Sequence, residues 1–167
     1  KHTLLLVVAD GMGGHGHGEI AAQLAVRNLT NAFQHMSVIS LADPAQFLSE
    51  HILQVHDMIE SYMLGHHLPE SPRTTIVAAV LQHDKLYCAH AGDSRLYHFR
   101  DGRLQFRTED HSLVQLLHNQ GQLSKRGMLT HPERHKIYNC LGGDKVPEIT
   151  LAPVRDLHQG DTLLLCS

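Results

Sequence analysis

Leu86-Tyr87-Cys88-Ala89-His90-Ala91-Gly92-Asp93-Ser94-Arg95-Leu96-Tyr97-His98-Phe99-Arg100-Asp101-Gly102-Arg103-Leu104-Gln105-Phe106-Arg107-Thr108 is the stretch that fixes the architecture. Strand-like runs at 86–91, 96–100 and 104–108 are joined by Gly92-Asp93-Ser94-Arg95 and by Asp101-Gly102. An Asp-Gly pair between two such runs is the strongest short-range hairpin signal. A further run, Thr75 to Leu81, precedes them. Successive hairpins make an antiparallel sheet, because parallel strands need a crossover far longer than these turns.

Upstream, Leu4 to Ala9 is an apolar run suited to a strand buried on both faces. It ends in Asp10, and four glycines follow within the six positions from Gly11. Gly11, Gly13 and Gly16 spell the dinucleotide-binding pattern G-x-G-x-x-G after a strand and before a helix, and Asp43, after Val38 to Ala42, fits the ribose-binding acid. Asp10 would then face a pyrophosphate, and like charges about 4 Å apart repel by roughly 4 kcal/mol at an effective dielectric near 20. A divalent cation removes that conflict. Mg²⁺ or Mn²⁺ takes carboxylate, carbonyl and water oxygens, and Asp10 with the Gly11 carbonyl offers two of those ligand types side by side.

The run Val8-Ala9-Asp10-Gly11-Met12-Gly13-Gly14-His15 with Gly18-Glu19, then Thr74-Thr75, then His90-Ala91-Gly92-Asp93-Ser94-Arg95, resembles the type 2C metal-dependent protein serine/threonine phosphatases, bacterial branch. The order continues through Thr108-Glu109-Asp110-His111, His131-Pro132-Glu133-Arg134, Leu141-Gly142-Gly143 and Gly160-Asp161-Thr162. The resemblance implies an α+β fold, an antiparallel β-sandwich flanked by helices in four αββα layers. It implies hydrolysis of phosphoserine and phosphothreonine in proteins, with two metal ions about 4 Å apart activating a bridging water. Asp10 is then the bridging carboxylate, the Gly11 carbonyl a further ligand, and Asp93 a contributor to a third, accessory metal position. His15 matches a motif histidine beside the metals, where a proton-donor role is open; Met12 stands where animal members carry the histidine usually given that task. Arg95 is read as structural rather than as a phosphate grip. The family usually has Gly ahead of its Thr pair, and this chain has Arg73. Residues of about 108–141 correspond to the family's flap beside the active site, and a partner Ser/Thr kinase would supply the phosphoproteins.

The 167 residues suit one domain, with 42% apolar residues for a core. A net charge of −3 and a pI near 6.6 give no reason to expect nucleic acid or an anionic membrane as partner. Apolar runs of about six residues fall far below the roughly 20 that span a bilayer. Cys88, Cys140 and Cys166 are odd in number and widely spaced, which points to buried free thiols in a reducing cytoplasm. The chain begins and ends on strands, and family positions before the first motif and after Ser167 have no counterpart, so the expectation is a truncated phosphatase domain with little activity of its own.

Between the motifs, Glu19 to about Met36 reads as a helix with Ile20, Leu24, Ala25, Leu29, Phe33 and Met36 on one face. A second helix has Asp43 as N-cap and Pro44 at its first position, with Leu48, Ile52, Val55, Ile59 and Tyr62 inward, which takes Asp43 from the dinucleotide reading. A third, Leu113 to Gln120, has Ser112 and Gln115 spaced as a capping box and Gly121 as its stop. Gln122 to Lys136 reads as polar and irregular. Two other functions stay open: a non-catalytic regulatory or binding module, and a zinc hydrolase using His15 and His17. The zinc set lacks Cys or His partners, and pairs arise by chance among 16 histidines.

Overall fold

A computed structural model describes residues 3–13, 17–36 and 40–167. In chain order it contains β1 (Leu4–Val8), β2 (Gly11–Met12), α1 (His17–Met36), α2 (Pro44–Gly65), β3 (Arg73–Thr74), β4 (Ile76–Gln82), β5 (Lys85–Ala91), β6 (Arg95–Arg100), β7 (Arg103–Arg107), α3 (Leu113–Asn119), α4 (Lys125–Thr130), β8 (Thr150–Leu151), β9 (Arg155–Asp156) and β10 (Thr162–Cys166). The first sheet runs β1-β4-β5-β8, with β9 also on β5; the second runs β10-β6-β7; β2 and β3 form a separate ribbon. Every pairing between these strands is antiparallel. In particular Leu4 lies opposite Leu81 and Val8 opposite Val77, so no crossover joins β1 to β4 and the dinucleotide fold is excluded. The Asp101-Gly102 hairpin forms with φ of 50° and 70°, as a tight mirror-image turn requires.

The alternation of β4 divides the core. Ile76, Ala78 and Val80 meet the helices, while Val77 and Ala79 meet the second sheet. α2 contributes Leu48, Ile52, Val55 and Ile59, all fully buried. Its start is fixed as the sequence indicates: the Asp43 carboxylate accepts a hydrogen bond from Gln46 N at 3.0 Å and Pro44 opens the helix. Truncating Ile52 to Ala would cost about 2–5 kcal/mol through the cavity it leaves. Behind the sheet, Leu96, Leu163, Leu165 and Phe106 pack on Val77, Ala79, Leu86 and Cys88.

Five expectations are corrected. The Gly92–Arg95 turn does not join paired strands: β5 lies in the first sheet and β6 in the second, so the chain crosses from one sheet to the other there. α1 buries Gly18, Ala21, Ala25 and Leu29 and leaves Met36 54% exposed, because small residues let the helix approach the strands closely where large ones would hold it off. The 122–136 segment is not wholly irregular: α4 forms there, with the Ser124 hydroxyl capping Gly127 N at 3.0 Å. At Ser112 only half of the capping box exists, since its hydroxyl accepts from Gln115 N while the Gln115 amide turns to Asn119. Of the three free cysteines only Cys88 is buried. The described residues build three layers, helices on sheet on sheet; Leu104 and Leu164, outward on the second sheet, stay 53% and 49% exposed. No helix among the described residues is long and apolar enough to cross a membrane.

Candidate metal centre

Asp10 sits between β1 and β2, where the chain passes from the sheet into the small ribbon. Its carbonyl accepts from Thr75 N at 2.9 Å, and its own N–H donates to Thr75 Oγ1 at 3.2 Å. The next residue must be glycine, because a Cβ on Gly11 would run into the Gly18 carbonyl in the first turn of α1, and one on Gly18 would lie 2.7 Å from Met12 N. Two glycines back to back therefore seat the helix start on the acid-bearing turn. The Asp10 side chain is left exposed to solvent.

Asp93 lies at the tip of the β5–β6 turn. Gly92 there has φ of +112°, and a Cβ would press on the Thr75 side chain at 2.7 Å. The Thr75 hydroxyl also meets Ser94 Oγ at 2.6 Å. One buried threonine thus ties the Asp10 main chain to the Asp93 turn. Two further groups hold that turn. Arg95 grips Asp110 with both arms of its guanidinium, Nε to Oδ1 at 2.7 Å and Nη2 to Oδ2 at 2.6 Å, and donates to the Tyr97 hydroxyl at 3.0 Å. These contacts hold its proton more firmly than usual, and they make Arg95 a structural residue, as the sequence reading favoured. His111 accepts from Gly92 N at 3.1 Å and from the Asn139 amide at 2.7 Å, both at Nδ1, and its main-chain N–H donates to Gly92 O at 2.9 Å. Its Nε2 therefore carries the proton and donates to Thr150 Oγ1 at 3.0 Å. Burial, together with His90 stacked at 4.5 Å, pushes the His111 pKa down to about 4.

The oxygen chemistry of this place fits a hard cation. Burial raises the Asp93 carboxyl above its ordinary value, and the charges of Asp110 and Asp10 raise it further against the opposing pull of Arg95. Asp10, the Gly11 carbonyl and Asp93 are the groups that would hold Mg²⁺ or Mn²⁺. The set is sparse: among the described residues no three of His, Cys, Asp or Glu are grouped around one point. His15 lies outside the described residues, and His17 opens α1. A cysteine nucleophile has no support at Cys88, whose thiol is pushed up to about 12 by burial.

Thr75, Ser94, Asp110 and His111 belong to motifs visible in the sequence, yet their roles were not legible there. A hydroxyl pair placed just before an apolar run is the one available signal at Thr74-Thr75. Nothing in it says that the hydroxyl of Thr75 meets a residue 19 positions away.

Residues 1–130 match the model of the protein phosphatase 2C family. A serine/threonine phosphatase, stp, of Listeria welshimeri is 35% identical over 98% of this chain, and the chain spans 65% of that relative's length. The structure of the serine/threonine phosphatase PstP/Ppp of Mycobacterium tuberculosis superimposes with a TM-score of 0.86 at 34% identity, covering 98% of this chain and 67% of that one. The catalytic domain of PstP in complex with two manganese ions superimposes with a TM-score of 0.78 at 32% identity, covering 98% and 66%. On its fold, its motifs and these likenesses, the chain belongs to the protein phosphatase 2C family.

Proposed function

We propose that the protein removes phosphate from phosphoserine and phosphothreonine in proteins, the substrates of a Ser/Thr kinase, using Mg²⁺ or Mn²⁺ held by Asp10, the Gly11 carbonyl and, at an accessory position, Asp93. The observation that carries this reading is the Thr75 hydroxyl, which fastens the Asp10 main chain to the Asp93 turn and so fixes two acids relative to each other. The two manganese ions of the PstP catalytic domain support the same choice of metal. Such cations supply Lewis acidity, which makes water nucleophilic near neutral pH and offsets the charge of the phosphate. The chain's own residues supply negative charge at the end of β1, a backbone oxygen beside it, and a second acid on a turn locked by Arg95 and His111. His15 is retained as a candidate proton donor. The segment 108–141 is the flap of this site, and its base is closed by backbone pairing of Ser112 with Ile137 and of Leu113 N with the Lys136 carbonyl. Three free thiols and net negative charge suit a cytoplasmic protein without nucleic-acid or membrane partners.

The test uses the full-length protein, with a phosphothreonine peptide and Mn²⁺. Asp10→Asn should abolish hydrolysis while leaving the thermal transition in place, since it keeps the size and turn propensity of the residue and removes its charge. Asp93→Asn should reduce activity less. Full activity of the Asp10 variant would sink the assignment. A second reading, a non-catalytic binding module, is favoured by the sparse acid set alone. Accordingly, these 167 residues on their own should bind Mn²⁺ weakly and turn over little, because affinity follows the number of charged ligands. Tight binding of two ions in calorimetry would show that Glu19 or Asp110 completes the site.

A further inference from the structure

Arg73 lies directly opposite Met12 in the β2–β3 ribbon, so the two side chains share a face, two residues along from Asp10. Thr74 beside it is fully buried, which turns Arg73 outward into solvent. Its guanidinium leans over the Leu141-Gly142-Gly143 turn, where a Cβ on Gly143 would stand 3.1 Å from its Nε. In that position it separates two clefts. One, of about 600 Å³, reaches from Met12 and Gly13 to His135 of the flap; the other, of about 370 Å³, runs past Tyr138 to Lys145. Glu70 and Asp144 line the larger cleft, yet no carboxylate among the described residues forms an ion pair with Arg73. Arg95, by contrast, is fully paired.

A second observation concerns the segment that contributes His135 to the larger cleft. Between Gln122 and Lys136 the flap carries Lys125, Arg126, Arg134 and Lys136 against the single acid Glu133, all of them exposed, in a chain whose net charge is −3. Cationic side chains thus gather, on an acidic protein, in the segment whose His135 reaches the cleft beside Arg73. Lys136 shares its charge with Glu133 at 3.3 Å, an exposed contact that leaves the other three cations unneutralised there.

We infer that Arg73, with the basic flap, selects phosphopeptides that carry acidic side chains next to the phosphorylated residue, Arg73 taking one of those carboxylates while the phosphate sits by Asp10. The inference rests on the phosphatase reading of the site and names its substrate class. With its guanidinium beside Gly143, Arg73 takes a flanking residue of the peptide rather than the reacting phosphate. A planar guanidinium presents paired donors that match a carboxylate, a match that Lys cannot reproduce.

The test is fluorescence anisotropy on the full-length protein with Mg²⁺, using labelled phosphothreonine peptides identical except for three flanking Glu or three flanking Lys residues, and the Glu peptide without phosphate. The wild type should bind the Glu phosphopeptide about tenfold more tightly than the Lys one at low salt, as a charge-assisted bidentate contact allows. Arg73→Glu should erase that preference, and Arg73→Gln, the milder change, should bring it near parity. Equal affinity for the two phosphopeptides, a preference retained in both variants, or equal binding of the unphosphorylated Glu peptide would each overturn the proposal. Turnover of p-nitrophenyl phosphate by the wild type is measured separately. Its absence would remove the phosphatase reading, whereas the peptide preference reports on Arg73.

Discussion

The two acids of the candidate centre are held in opposite ways. Asp10 is fixed by main chain: its carbonyl pairs with Thr75 N, and the turn after it is closed by Gly11 against Gly18 with no room for a Cβ. Asp93 is fixed by side chains: Arg95 on Asp110, Ser94 on Thr75, and His111 on Gly92. Steric seating is indifferent to pH and intolerant of added volume. A polar clamp tolerates small changes of volume and answers to protonation. The difference teaches that the two halves of one site should fail under different insults, with Thr75 the only described side chain hydrogen-bonded to both.

The largest effect should come from Gly11→Ala, which forces the first turn of α1 off β2. We expect a loss of about 3 kcal/mol or more in chemical denaturation, beyond ordinary overpacking because the obstacle is backbone. An unchanged midpoint would mean that the Gly11–Gly18 contact relaxes at no cost, and the contrast drawn above would collapse.

Acid should next release the Asp93 half. The folded pKa of His111 is about 4, below its unfolded value near 6.5, so its neutral form contributes stability that is complete above pH 6.5 and lost as pH falls toward 4. By pH 4 the loss from this group is about 3 kcal/mol. His90, lowered in the same direction by burial, adds to it. Denaturation of wild type and His111→Gln across pH 7.5 to 4 should converge. Parallel curves would remove His111 from the clamp.

Thr75→Val strikes both halves at once. It strips Asp10 N–H of its side-chain acceptor and the Ser94 hydroxyl of its buried partner, for about 2 kcal/mol. Calorimetric Mn²⁺ affinity should fall together with stability, whereas a purely structural threonine would lower stability alone. The smallest effect belongs to Arg95→Lys, which keeps the charge and loses the fork, at about 1 kcal/mol. It should leave the Gly11–Gly18 seat intact, read as unchanged amide-exchange protection in the first turns of α1.

The sequence by itself determined the β4–β5 and β6–β7 hairpins, because turns such as Asp101-Gly102 are local; only the tertiary structure sent β5 and β6 into different sheets and set β1 beside β4 and β10 beside β6. The sequence determined the start of α2, since a cap and a proline act within four residues. It also singled out Asp10, Gly11 and Asp93 as the oxygen donors to watch. Only tertiary structure decided which face α1 buries, for the small residues Gly18, Ala21 and Ala25 matter through how closely another element can approach. It alone joined Thr75 to Ser94 and Arg95 to Asp110, and left Arg73 unpaired between two clefts. Local propensity is written in neighbours along the chain. A hydrogen bond between residues 19 apart exists only once the sheet has brought their strands side by side.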